Sequence, residues 1–220
     1  QERLRQKMYK CVLFDLDGTI ADTDLLVIDG FMKLYEMYRP EEKPTVSLLA
    51  SFSGPTLHES LSKYFPNCNE QELIEKFKTD TAPMYDTYMK LYDGLYDLMK
   101  ECKEYGIKLG VITSKLSGAT SRALKLLNID KFMDFVISSD QVKNQKPDPE
   151  GINLAIQKLN VNAQDTLFVG DSRSDEKAAF NADIDCCLVT WNLRGRLNDT
   201  HPKYTVNTAL ELKEVIFNHE

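Results

Sequence analysis

Six residues of this 220-residue chain have side chains and spacings suited to phosphate and divalent-cation chemistry. Asp15 follows the apolar run at 10–14, Thr113 follows the run at 107–112, and Asp171 follows the run at 166–170. Asp17 lies two residues beyond Asp15, in a turn where Gly18 permits the positive φ that a sharp exit from a strand needs. Asp175 lies four residues after Asp171, and Lys146 sits in the stretch Asn-Gln-Lys-Pro-Asp-Pro. A carboxylate pair joined by a third aspartate is a hard, oxygen-rich donor set. It suits Mg²⁺, which takes one or two carboxylates, water and substrate phosphate. Any one of these aspartates read alone is a turn residue or a helix cap. Asp175 can equally stabilise a helix N-terminus. The three histidines, His58, His201 and His219, are scattered, and no Cys/His spacing suits zinc.

The elements that must position these groups alternate. Five short apolar runs, at 10–14, 107–112, 135–137, 166–170 and 186–190, read as buried parallel strands. Between them lie helical stripes. Leu95, Leu98, Met99 and Cys102 follow i, i+3, i+4, i+7 spacing, as do Ile152, Ala155, Ile156 and Leu159. Asp148 followed by Pro149 marks a helix start. Alternating strands and helices imply a doubly wound α/β fold with a parallel sheet of five or more strands. Ligands of such sheets bind outside the carboxyl ends of the strands, where Asp15, Thr113 and Asp171 are expected to meet. Pro147 biases Lys146 toward extended backbone, which keeps its ammonium near those strand ends.

One region breaks the alternation. Residues 22–92 carry helical stripes (Ile28, Phe31, Met32, Tyr35, Tyr38, then Leu73, Ile74, Phe77, then Met84, Tyr85, Tyr88) with an interruption at Pro83 and no convincing strand. A crossover needs far fewer residues. The expected organisation is therefore an α/β core of 1–21 and 93–220 with an inserted helical subdomain at 22–92. The Ser53-Gly54-Pro55 turn is either a loop aimed at the site or a plain helix–helix turn.

Composition narrows the function classes. Lys plus Arg total 27 against 34 Asp plus Glu, for a net charge of −7, which argues against a general nucleic-acid binder. No apolar run approaches the ~20 residues of a membrane span. Gln1 to Lys10 is charged and lacks the apolar stretch of a secretory leader. Five cysteines, an odd number set mostly in apolar stretches, suit reduced thiols in a cytoplasmic protein. Oligomeric state is not readable.

The motifs together resemble those of the haloacid dehalogenase-like hydrolases. Phe14-Asp15-Leu16-Asp17-Gly18-Thr19 resembles the family's first motif, Thr113 its second, Lys146 before Pro147 its third, and Gly170-Asp171-Ser172-Arg173-Ser174-Asp175 its fourth. The insert resembles the family's small helical cap on a Rossmann-like core. The resemblance implies Asp15 as nucleophile and Asp17 as general acid and base. It implies Mg²⁺ held by Asp15, the Asp17 carbonyl and Asp171, with Asp175 behind them orienting a metal-bound water. Gly18, Thr113, the Ser114 amide and Lys146 would bind the phosphoryl group. Asp17 argues against carbon–halogen and phosphonate hydrolysis, whose relatives lack that second aspartate. Gly170-Asp171, in place of a Glu-Asp pair, favours a phosphatase over a sugar-phosphate mutase. The whole chain, including Thr190-Trp191, resembles phosphoglycolate phosphatases. That makes the expected substrate a small phosphorylated metabolite, 2-phosphoglycolate first, with mutase or pyrophosphatase activity as alternatives. Receiver domains and a catalytically silent, phosphate-binding relative are the non-enzyme readings. Neither nucleic acid nor membrane is an expected partner.

Overall fold

The computed structural model describes residues 8–218 except Gly54 and Thr56. In chain order it runs β1 (Cys11–Phe14), β2 (Ala21–Asp22), α1 (Asp24–Tyr38), α2 (Val46–Ala50), α3 (Leu57–Tyr64), α4 (Glu70–Thr81), α5 (Tyr85–Tyr88), β3 (Lys90–Leu91), α6 (Leu95–Glu104), β4 (Lys108–Ile112), α7 (Ser117–Leu126), β5 (Phe135–Ile137), α8 (Glu150–Leu159), β6 (Thr166–Gly170), α9 (Arg173–Asn181), β7 (Asp185–Val189), β8 (Tyr204–Val206) and α10 (Ala209–Phe217). Among the described residues, six strands form one parallel sheet in the order β5-β4-β1-β6-β7-β8.

Each central strand is apolar on both faces because helices cover both. Val12 and Phe14 of β1 point to one side, with Leu109, Val111, Leu167 and Val169, against the apolar stripes of α6, α7 and α10. Cys11 and Leu13 point to the other, with Phe168, Cys186 and Leu188, against α8 and α9. The period of two that separates the faces of a strand thus feeds two cores. Cys11, Cys102, Cys186 and Cys187 are buried free thiols, and burial pushes Cys11, Cys102 and Cys187 up to about 12. They pack as small hydrophobes. Among the described residues no helix is long and apolar enough to cross a membrane.

The differences from the sequence expectation are local. The run at 186–190 forms a strand one residue earlier, at Asp185–Val189, and it is not the last. β8 adds a sixth, edge strand, whose three residues are too short for a hydrophobic period. β2 and β3 are two residues each and pair antiparallel, so the chain leaves and re-enters the core side by side. Helix α8 starts at Glu150 rather than Pro149, and Asp148 Oδ1 accepts the Glu150 N–H at 2.9 Å. Met32, placed on the apolar stripe of α1, is exposed. Gly54 of the Ser53-Gly54-Pro55 turn and His219 lie outside the described residues.

Between β2 and β3 the chain is helical and has a hydrophobic cluster of its own, built on Phe31, Leu34, Tyr35, Leu49, Phe52, Leu61, Phe65 and Leu73. Phe31 stacks on Phe52 with ring centroids 4.0 Å apart. A Cβ at Gly30 would lie 2.4 Å from the Phe77 ring, so glycine is what lets α1 and α4 approach. Leu34 is fully buried in this cluster. Leu34→Ala is expected to destabilise the helical segment by about 2–5 kcal/mol, the usual cost of emptying a closed apolar site. Urea unfolding checks this. A loss under about 1 kcal/mol would mean that the cluster is loosely packed.

Candidate active site

The strand-end residues converge as the sequence analysis expects. Asp15 extends β1, with its N–H donating to Val169 O at 2.9 Å. Thr113 extends β4, with its N–H donating to Ile137 O at 3.0 Å, and Asp171 follows β6 directly. Neighbouring parallel strands β4, β1 and β6 end in register, so the three side chains share one crevice. Thr113 is buried and Ser114 is exposed beside it.

Lys146 ties the cluster together. Its Nζ donates to Asp15 Oδ1 at 2.8 Å and to Asp175 Oδ1 at 2.6 Å, with its side chain only 6% exposed. Burial alone would lower its pKa, and the two carboxylates more than reverse that, so it is held above its ordinary range. Asp15 is pushed up to about 6, first by burial, with Lys146 working against the shift.

Asp175 caps the N-terminus of α9. It is the third residue of α9, in a capping box with Ser172, and its Oδ2 accepts the N–H groups of Asp171 and Ser172 at 3.1 and 3.0 Å. It also accepts from Lys146, so it fixes the backbone carrying Asp171 and the cation facing Asp15. Asp171 itself precedes the helix. Gly170 is required here, because a Cβ would lie 2.4 Å from Asp175 Cβ. Gly18 has φ +79°, and a Cβ there would lie 2.3 Å from Asp171 Oδ2. The first-motif turn and Asp171 are therefore in close contact.

Two cations that the sequence analysis did not single out complete the site. Lys115 Nζ donates to both oxygens of Asp17, at 3.0 and 2.8 Å. Arg194, in the loop after β7, forms an ion pair with Asp171 Oδ2 and is 10% exposed. Burial lowers the Arg194 pKa. Asn192 Nδ2 donates to the same Asp171 oxygen at 2.8 Å and to Gly18 O at 3.0 Å, and Trp191 Nε1 donates to Thr19 O at 3.1 Å. The only sequence signal for Lys115 is its place two residues after Thr113. Arg194 gives none, since its loop meets the site only through the sheet order.

Asp15, Asp171 and Asp175 can present oxygens within 4.8 Å of one another, a grouping able to hold a metal ion. Asp175 already accepts from Lys146, Ser172 and the Asp171 amide, and Asp171 accepts from Thr19 and Asn192 and pairs with Arg194, so a cation bound there would compete with Arg194. Asp171 faces the positive charge of Arg194. An all-oxygen set of this kind fits Mg²⁺. His58 instead pairs with Glu70 at 2.6 Å on the surface, and His201 is exposed.

The chain is similar to known proteins. Residues 12–189 match the haloacid dehalogenase-like hydrolase family. The chain is 34% identical over 207 residues to Pyrophosphatase PpaX of Bacillus cereus, covering 93% of this chain and 95% of the relative. A haloacid dehalogenase-like family hydrolase of Streptococcus pneumoniae superposes with a TM-score of 0.81 at 21% identity, covering 93% of this chain and 96% of its own. A protein of Clostridium acetobutylicum described as a predicted phosphatase superposes at 0.78 with 26% identity, covering 95% and 98%. With its four motifs gathered at the strand ends and the family match spanning most of its length, the chain belongs to the haloacid dehalogenase-like hydrolases.

Proposed function

We propose that this hydrolase cleaves inorganic pyrophosphate to two phosphates through an aspartyl-phosphate on Asp15. The observation that carries the reaction is the pair of aspartates with separate partners: Asp15 on Lys146, and Asp17 two residues on, turned to Lys115. Two carboxylates in different surroundings suit the two tasks of nucleophile and proton carrier. Pyrophosphate is placed ahead of 2-phosphoglycolate because the relatives at 34% identity bear the name pyrophosphatase.

In the first half-reaction an Asp15 oxygen attacks one phosphorus, and its bond to the bridging oxygen breaks. Asp17 gives its proton to that oxygen, and phosphate leaves. In the second half, Asp17 takes a proton from water as the water oxygen attacks the phosphorus. The bond to Asp15 breaks, which returns both carboxylates to their starting states. Lys146 offsets charge on Asp15 and the phosphoryl oxygens. Thr113 and the Ser114 amide hold the phosphoryl group, and Gly18 leaves room for it beside Asp171. Asp15, the Asp17 carbonyl and Asp171 would hold Mg²⁺, with Asp175 orienting Asp171 and Lys146. When bound, the metal lowers repulsion between an anionic nucleophile and an anionic substrate. Residues 22–92 act as a cap that closes over the crevice and excludes water.

Asp15→Asn is expected to abolish Mg²⁺-dependent phosphate release from pyrophosphate while leaving thermal unfolding close to that of the native chain. Near-native turnover would remove Asp15 from the chemistry. A second pair of variants tests the cation site by calorimetric titration with Mg²⁺ alone. Asp171→Ala is expected to weaken binding by about 100-fold or more. Arg194→Met is expected to tighten it about tenfold, since a competing positive charge is gone. An affinity unchanged in both would place the metal elsewhere.

A further inference from the structure

The family motifs account for Lys146 and leave Lys115 without a task. Its position is informative because of what Asp17 must do. A group that protonates a leaving oxygen has to lie within hydrogen-bond reach of it. Lys115 Nζ lies 2.8–3.0 Å from both Asp17 oxygens, so it stands at the leaving-group side of the crevice. The other two cations are committed elsewhere. Lys146 bridges Asp15 and Asp175, and Arg194 sits on Asp171.

A second, independent feature stands beside Lys115. Tyr85, at the start of α5, packs its ring 5.9 Å from the Lys115 ammonium, and its hydroxyl is buried without a hydrogen-bond partner. A buried hydroxyl left unpaired is costly and invites an acceptor. Asp17 and Lys115 are among the charges that act on it, and burial raises its pKa, so it remains a donor. Arg122 also packs on the ring, with its guanidinium 5.0 Å from the centroid and paired with Asp86 at 2.7 Å. Helix α5 thus brings a hydroxyl from the inserted segment to the side of Asp17.

We propose that Lys115 and the Tyr85 hydroxyl form a subsite for an anionic leaving group, which selects phosphates whose departing half carries its own negative charge. This rests on the phosphoryl-transfer reading above and names what that reading leaves open. In pyrophosphate the departing half is a phosphate. Its oxygens replace Asp17 as the partner of Lys115 and supply the acceptor that Tyr85 lacks. An uncharged leaving group gains little from either. In 2-phosphoglycolate a carboxylate takes the same place, so the subsite discriminates by charge.

The test compares kcat/KM for pyrophosphate, 2-phosphoglycolate and phenyl phosphate in the native enzyme and in Lys115→Met, Lys115→Arg and Tyr85→Phe. The quantity read is the ratio of each anionic-leaving-group substrate to phenyl phosphate. For the better anionic substrate, Lys115→Met is expected to lower that ratio by about 30-fold or more, mainly through KM, as loss of a charged hydrogen bond implies. Lys115→Arg should keep most of it, and Tyr85→Phe should lower it by about three- to tenfold, the span for a neutral hydrogen bond. Equal losses on all substrates in Lys115→Met, or no change in the ratio, would overturn the subsite. If the native enzyme turns over 2-phosphoglycolate and phenyl phosphate but not pyrophosphate, the pyrophosphate reading fails while the ratio for 2-phosphoglycolate still decides the subsite. Native protein inactive on all three would overturn both.

Discussion

One buried ammonium holds this site together. Lys146 sits between Asp15 and Asp175, and three charged groups share a space with little access to water. Two carboxylates brought this close would not both stay ionised without a cation between them. Asp15 is pushed up to about 6, first by burial, with Lys146 opposing the shift and Asp175 adding to it. Much of the local structure serves this contact. Gly170 makes room for Asp175, Ser172 caps the helix that carries it, and the end of β6 sets Asp171 beside Gly18.

Charge is distributed around the crevice in separate pairs rather than pooled. Asp17 has Lys115, Asp171 has Arg194, and Asp15 and Asp175 share Lys146. Four carboxylates face three cations, so the cluster keeps an excess of negative charge that suits a divalent ion. Each pairing joins segments that follow different strands, and the fold's strand order is what makes them neighbours. The entry and exit of the inserted helices, pinned by the pairing of β2 with β3, lie beside the first-motif turn. Any movement of those helices therefore reaches Asp17 within a few residues. Tyr85 and its contacts with Lys115 and Arg122 span the same boundary from the far end.

Most of the fold was legible because its core strands are short apolar runs that end abruptly in Asp or Thr, and its main helices show clear stripes. Asp15, Thr113 and Asp171 announce themselves for the same reason, by standing at strand ends, whereas Lys146 is marked by the Pro147 that follows it. What escaped notice has physical causes. The strands β2, β3 and β8 are too short to carry a period, and tertiary context makes them strands. Arg194 lies on a loop whose neighbours are set by sheet order, so no local pattern reveals it. Lys115 resembles any loop lysine until its distance to Asp17 is known. Tyr85 reads as one more aromatic on a helical stripe, and only the unpaired hydroxyl sets it apart.

The proposed reaction depends on Asp15 acting as a covalent nucleophile. The most direct measurement mixes the native enzyme with Mg²⁺ and pyrophosphate, quenches with acid within the first turnover, and maps phosphoryl adducts on the peptides by mass spectrometry. An adduct is expected on Asp15, absent from Asp15→Asn and lost when the quench is delayed until substrate is exhausted. Phosphate release at full rate with no adduct on Asp15 at any quench time, or an adduct on another residue, would contradict the proposed reaction.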